Sequence, residues 1–579
     1  MSTRPPLLAQ PEPKPIGISR PNVSHSFVEV LLHDSRRLLS TLRHLKAEQL
    51  LYRALRRALP PAPVPVETLV PRDWKSAWHA PRWQQVGWDG RQRFEFLGVA
   101  GSPQGPGWTV PGSSALWAYH LHYLDALNAR NLQNADACRH LIESWIADNP
   151  PATGVGWEPY CVSRRVINLV KWCSRERSRA ENITSSIATQ AEYLSGRLER
   201  DIQANHLFAN GVALVFAGAF GYSRTSDRWL DIGLTILDEQ LPEQFTPDGG
   251  HFELSPMYHA LLSWDVCDLV NLARRSGLSS LTSRAANWTE VVERALRWLQ
   301  AMTHPDGLPS FFNDAAFEAA PTLEDLSGYA RELSIDTPPA PAAPDLAVEY
   351  LRDTGYVACE LGDHGKLIVD VGRVGPDYQP GHAHADTLSF ELSILGQRCF
   401  VNSGTSVYGN SSERSRQRGT AAHNTVVVDG CDSSEVWAGF RVGRRALPLD
   451  VSVHRDSNAV TITAAHDGYR YLPGRVIHRR RWVVERRSLT ITDELSGRFH
   501  SARAYLHMHP DAAIVDHGPD FLRCSLPNGA IVRLDFENAR NVQTRPSTWH
   551  PAFGRVIGSS QVLADFAVKR LVTRISWEG

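Results

Sequence analysis

The hydrophobic period of this chain changes once, and the change falls on a proline-rich stretch. Ahead of Thr337-Pro-Pro-Ala-Pro-Ala-Ala-Pro344, apolar residues recur every three or four positions; behind it they alternate. A period near 3.6 puts an apolar stripe on a helix, whereas a period of two puts it on one face of a strand. The two patterns exclude each other, so the chain reads as a helical unit followed by a β unit. Residues 1–23 form a proline-rich tail expected to be disordered, 24–336 the helical unit, 337–345 a linker and 346–579 the β unit.

Within the helical unit, residues 28–59, 115–127, 135–146, 164–173 and 183–198 carry the helical spacing. Residues 206–220 and 256–272 are apolar on nearly all sides, the mark of helices buried among other helices. Successive helices, some wholly buried, suit a double-layered (α/α) toroid; an α-solenoid is the alternative, but no fixed-length repeat is visible. Beyond the linker, residues 387–394 alternate strictly, with Leu388, Phe390, Leu392 and Ile394 on one face. Segments 424–428, 459–464, 481–493 and 530–536 are further strand candidates, with Gly and Asp-Gly turns between them. They predict stacked antiparallel sheets rather than a parallel one.

Composition narrows the function classes. Lys plus Arg nearly equals Asp plus Glu, for a formal net charge of -1, so a polyanion-coating role such as nonspecific nucleic-acid binding has no support. The eight cysteines lack the paired spacing of a zinc knuckle and are expected to be buried thiols. No apolar leader or membrane-length run is visible, which predicts a cytoplasmic protein, or a periplasmic one if a leader had been removed. Phosphate-binding loops, nucleophile elbows and dinucleotide glycine fingerprints are missing, so no organic cofactor is expected.

The densest chemical constellation is Gly381-His-Ala-His-Ala-Asp386. In an extended segment, His382, His384 and Asp386 would project to one side. An imidazole titrates near neutrality and suits a general base. Alternatively, His384, His423 and an oxygen donor suit a zinc site. In the helical unit, Asn205-His206 opens a buried helix, where Asn205 is either an N-cap or a functional amide. Asp248-Gly-Gly-His-Phe-Glu-Leu-Ser-Pro-Met-Tyr-His259 brings Glu253, Tyr258 and His259 to a loop-to-helix junction. Trp157, Glu158 and Tyr160, with Arg164 and Arg165, offer a wall and cations for an acidic substrate. Phe311-Phe-Asn-Asp314, polar among apolars, reads as a structural turn.

These motifs resemble, in order, those of heparinase II/III-like polysaccharide lyases. In the helical half the resemblance rests on Trp157-Glu-Pro-Tyr160, Arg165-Val-Ile-Asn168, Asn205-His-Leu-Phe-Ala-Asn210 and the Asp248 to His259 segment. In the β half it rests on His382-Ala-His-Ala-Asp386, Asn402-Ser-Gly-Thr405, Arg414 to Arg418 and Ala422-His-Asn-Thr-Val-Val-Val-Asp-Gly430. The resemblance implies a toroid, a β-sandwich and a cleft between them that takes an acidic polysaccharide or oligosaccharide. It implies β-elimination at a 4-linked uronate: Asn205 and His206 bind the carboxyl group, Tyr258 donates to the leaving oxygen or acts as base, and His382 takes the C5 proton. Trp157, Glu158, Tyr160, Arg165, Glu253, His259, Arg414 and Arg418 are the substrate-contact candidates. One structural zinc is implied at His384 and His423, with Asn402 where an Asp is expected. Two other functions share this sequence signature: a uronate C5-epimerase, and a non-catalytic glycan-binding protein of polysaccharide biosynthesis.

Overall fold

The computed structural model describes residues 27–60, 68–131, 133–339, 346–363 and 365–578, with side chains from residue 35 onward. The tail expected at 1–23 and most of the linker lie outside those residues.

The described chain starts as helices: α1 (Phe27–Leu42), α2 (Ala47–Ala58), α3 (Ala115–Tyr123), α4 (Ala135–Asp148), α5 (Pro159–Glu176), α6 (Glu181–Ser195), α7 (Ala204–Phe220), α8 (Arg224–Gln244), α9 (Pro256–Ser276), α10 (Ser279–Thr282), α11 (Ala285–Ala301) and α12 (Leu323–Glu332). The continuous pattern over 28–59 is two helices, and 115–127 is α3 followed by a short 3-10 turn. A small meander of three strands, within residues 87–101, interrupts a region read as wholly helical. Helices α5, α7 and α9 are buried along most of their length, while α8 and α11 keep an exposed face. This division is the double layer of an (α/α) toroid. In α7 every residue except His206 is buried, so the ring presents one polar window at that helix's start. No described helix is long and apolar enough to cross a membrane.

In the second half every sheet is antiparallel among the described residues. Five strands run as a meander (Ala347–Leu351, Tyr356–Leu361, Gly365–Asp370, Phe390–Ile394, Gln397–Phe400). An eight-stranded sheet spans Pro448–Arg455 to Arg570–Glu578, and a four-stranded sheet pairs Ala502–His507 with Ile557–Phe566 and Val426–Val428. Side chains from all three sheets share one apolar core, including Phe390, Trp482, Leu534 and Val562. The segment read as one strand at 481–493 is a hairpin of Ile477–Glu485 and Ser488–Ser496.

The alternating run at 387–394 is corrected in two ways. Its strand starts only at Phe390, because Leu388 takes a left-handed conformation with φ of 65°. All five strand residues are buried, not alternate ones. The polar face is not solvated: Glu391 accepts hydrogen bonds from the Phe311 backbone N–H and from Nε2 of His304, both in the helical half. The two halves also share apolar clusters, with Trp298, Met302 and Phe312 packed on Tyr356 and Ile368. The domains are therefore packed against each other along a shared seam, and the chemistry-bearing loops meet on it.

Candidate active site

On the toroid side, helix starts do the positioning. The Ser255 hydroxyl caps α9 by accepting from the Tyr258 N–H at 3.2 Å, with Pro256 supplying the preset first turn. That places Tyr258 on the rim. At the start of α7 the N-cap is Gln203, so Asn205 lies inside the helix and its side chain caps nothing. The Asn205 N–H instead donates to Oε1 of Glu253 at 3.3 Å. His206 meets the Glu199 carboxylate at 2.9 Å, and its ring lies 4.5 Å from that of Tyr160. Burial disfavours both charges, but their mutual attraction prevails: the His206 pKa is raised and the Glu199 pKa lowered.

Around the β-side loops, one carboxylate from the helical half organises the groups. Asp314 is fully buried and takes both terminal nitrogens of Arg414, Nδ1 of His382 at 2.9 Å and Nε2 of His384 at 2.9 Å. Burial would push its pKa up, but the Arg414 guanidinium and the imidazoles hold it well below the usual carboxylate range. His382 is thereby oriented with Nδ1–H donating to Asp314 and Nε2 left as the basic nitrogen. Nε2 faces Oε2 of Glu253 at 3.5 Å, beyond good hydrogen-bond geometry. The His382 ring stacks on Tyr258, centroid to centroid 3.8 Å, and so joins the two domains. Tyr258 Oη in turn lies 3.1 Å from Oη of Tyr408. Burial raises the Tyr258 pKa well above 10 and also raises that of Glu253.

Left-handed backbone concentrates around these groups. Gln203, Ala204, Leu254 and Asn313, none of them glycine, have φ between 51° and 66°, and Leu388 follows close behind Asp386. Each such residue costs roughly 1–2 kcal/mol, and the packing of the seam must hold it there.

Directly behind His382 lies a candidate metal centre. Ligand atoms of His384, Asp386 and His423 lie within 4.8 Å of one another, all buried. His384 uses Nε2 on Asp314, and Nδ1 of His423 donates to Oδ1 of Asn402 at 3.1 Å. That leaves His384 Nδ1 and His423 Nε2 buried without a hydrogen-bond partner among the described residues. Such orphaned lone pairs beside a carboxylate are the donor set of a transition-metal site. Burial keeps both imidazoles neutral by lowering their pKa values, to about 4 for His384, and raises Asp386 to about 6. The residues fit a divalent cation. Asn402, expected among the ligands, offers its carbonyl oxygen to Nδ1 of His423 and so orients that ring.

The 381–386 segment is not extended, so His382 and His384 do not share a strand face; they converge through Asp314. Of the substrate-contact candidates, Tyr160 and Glu253 lie among the reactive groups. Glu158 accepts from the Tyr119 hydroxyl. The others are committed elsewhere. Trp157 is buried and donates to the Asn149 carbonyl. Arg165 is buried on the face of Trp145, bonded to Gln190 and the His122 carbonyl. His259 is buried between the His251 N–H and the Ala295 carbonyl. Arg414 and Arg418 are buried too, the first on Asp314 and the second on the Ala383 carbonyl, so they shape the His382 loop from beneath. Sequence reasoning missed Asp314, read as part of a turn, and also Glu199 and Tyr408. The available signal for Asp314 was its polarity between Phe312 and Ala315.

The heparinase II/III N-terminus model matches residues 134–333, and the heparinase II/III-like C-terminal model matches residues 343–578. The heparin-sulfate lyase of Pedobacter heparinus is 26% identical over 262 residues, covering 42% of this chain and 38% of that protein. The heparin-sulfate lyase of Bacteroides stercoris is 23% identical over 327 residues, covering 53% of this chain and 45% of the relative. The matched region thus spans less than half of each curated relative. A crystal structure of heparinase III superposes with a TM-score of 0.65 at 18% identity, covering 81% of this chain and 78% of that one, which establishes a shared fold. With one family's models matching consecutive stretches of both halves, the chain belongs to the heparinase II/III family.

Proposed function

We propose that this protein is a polysaccharide lyase that cleaves a 4-linked, uronate-containing glycan by β-elimination. The observation that carries the reading is the stack of Tyr258 on His382 across the domain seam, with Asp314 setting the imidazole tautomer. In the reaction the C5–H electron pair becomes the C4=C5 double bond as the C4–O bond breaks. One group must take the C5 proton and another must protonate the departing oxygen. His382 Nε2 has the free lone pair for the first task. Tyr258, kept protonated by burial, has the proton for the second. The abstracted proton is weakly acidic until the neighbouring carboxylate is neutralised. The cationic form of His206, favoured by Glu199, and the Asn205 amide are positioned for that task, and the raised pKa of Glu253 limits like-charge repulsion.

Acid and base lie on adjacent stacked rings, so they approach from one side. This suits a uronate in which C5–H and C4–O are syn, as in 4-linked glucuronate. Both relatives are called heparin-sulfate lyases, which supports an acidic glycan as substrate. A zinc ion is the cation favoured by two imidazoles and a carboxylate, held by His384, Asp386 and His423. It would neutralise Asp386 and stiffen the loop that carries His382.

Incubation with 4-linked glucuronate polymers is expected to generate the near-ultraviolet absorbance of an unsaturated uronate, and Tyr258→Phe is expected to lose it. No absorbance from any 4-linked uronate polymer would sink the proposal. Deuterium uptake from solvent at C5 without chain cleavage would convert it to an epimerase.

A further inference from the structure

The stripe of α5 that presents Tyr160 to the cleft continues down the inside of the toroid. Arg164, Asn168, Lys171 and Arg175 follow at spacings of four, three and four, which keeps them on one side of the helix. They line a cavity of about 380 Å³ together with Trp264 and Asp268 of α9 and the 78–84 segment. From Tyr160 to Lys171 the helix rises ~17 Å, and none of Tyr160, His206, Tyr258 and His382 lines this cavity. Arg164 on its wall is held by an ion pair with Asp265 at 2.8 Å.

The cavity's five cations, Arg82, Arg130, Arg164, Lys171 and Arg175, are matched in number by Asp125 and Asp268 on its wall and by Asp265, Asp325 and Glu176 around it, but unevenly: Asp125 takes its hydrogen bonds from the neutral Gln84 and Asn168 side chains. Lys171 is paired with Asp268, Arg164 with Asp265 and Arg130 with Asp325. Arg175 bonds Glu176, Asn128 and the Leu127 carbonyl. The Arg82 guanidinium has no hydrogen-bond or ion-pair partner among the described residues. Its pKa is lowered by burial and by the nearby charge of Arg175. Arg82 is thus the cation of the cavity wall that lacks a partner among the described residues, and a bound anion would supply one. Beside them the half-buried Trp83 meets Trp264 edge-on at 6.3 Å, offering a flat apolar wall. The volume matches a small-molecule site.

We infer that this cavity binds one acidic sugar unit, its carboxylate or sulfate against Arg82 and its apolar ring face on Trp83, separately from the elimination cleft. The choice of a sugar acid over other small anions rests on the uronate reading above. The charge and the wall do not.

The test is direct binding, followed by tryptophan fluorescence or saturation-transfer NMR, with glucuronate, glucose and inorganic sulfate as probes. It uses the full chain as wild type, Tyr258→Phe, Arg82→Gln, Arg82→Lys and Trp83→Ala, each checked for an unchanged thermal midpoint. Glucuronate is expected to bind wild type and Tyr258→Phe equally, to weaken about tenfold in Arg82→Gln and to recover partly in Arg82→Lys. Trp83→Ala is expected to weaken glucuronate but leave sulfate unchanged, and glucose should bind more weakly than glucuronate. Wild-type-like binding by both Arg82→Gln and Trp83→Ala would overturn the inference. So would loss of binding in Tyr258→Phe, or sulfate binding as tightly as glucuronate. Because nothing in this assay depends on turnover, failure of the lyase reading and failure of this site give different results.

Discussion

Two buried aspartates in this protein have nearly the same partners and opposite consequences. Asp493, in the eight-stranded sheet, accepts from His478 Nε2 at 2.6 Å and from Arg480 at 2.7 and 3.1 Å. Asp314, on the domain seam, accepts from His382, His384 and Arg414. Both carboxylates are held ionised against burial, Asp493 at about 2 and Asp314 well below its ordinary value. The difference lies one step out. His478 passes its other nitrogen to His466, which accepts from the Gly468 N–H, and the chain closes with nothing exposed. His382 keeps 12% of its side chain exposed, its second nitrogen lacks a close partner, and a tyrosine from the other domain covers its ring. A closed network contributes stability; an open one keeps a nitrogen for chemistry.

The largest effect separates the two histidines. His382→Ala is expected to cut turnover by about 10³-fold while the thermal midpoint barely moves, because the ring lies at the cleft edge. His478→Ala is expected to leave turnover of the folded protein intact and lower stability by about 1–3 kcal/mol, read by denaturant titration. Equal activity losses in the two would erase the distinction. The two aspartates should then differ in activity but not in stability. Asp314→Asn and Asp493→Asn each strand a buried arginine, at a cost of about 3–5 kcal/mol. Only Asp314→Asn should also abolish turnover measured well below its melting point.

Metal removal is expected to act next. Chelation should lower the thermal midpoint by several degrees, zinc should restore it, and His423→Ala should be insensitive to both. A midpoint unmoved by chelator, in protein shown by elemental analysis to have carried metal, would refute a structural role for it.

The smallest effect is in pH dependence. The folded His206 pKa is raised, so its contribution to stability is complete below about 6.5 and fades as pH rises through the folded value. Glu199 is lowered, so its contribution is present above about 4.5 and fades as pH falls through its folded value. The pair therefore favours the interval between. His206→Gln should flatten the alkaline side of the thermal midpoint profile and remove the alkaline fall in kcat/KM. If the variant's profile overlaid that of wild type, His206 would not be the carboxylate-binding cation.

What the residues alone conveyed was periodic or contiguous. The switch of hydrophobic period separated helices from strands because burying an apolar stripe imposes that period on the sequence. His382 stands out by the unusual composition of its motif, whereas Asn205, His206 and Tyr258 take their expected roles from the family resemblance. Tertiary structure decided what no local pattern encodes. Asp314 joins His382 across 68 positions and Arg414 across 100, and a lone aspartate near two phenylalanines carries no trace of those partners. Asp386 is the carboxylate the sequence offers in place of Asn402, and the fold is what brings it within 4.8 Å of His384 and His423 while His423 donates to Asn402. Arg165 and His259 read as exposed chemistry until the toroid closes over them. Burial and long-range pairing arise only when distant segments pack. They decide which of several identical side chains keeps a free nitrogen.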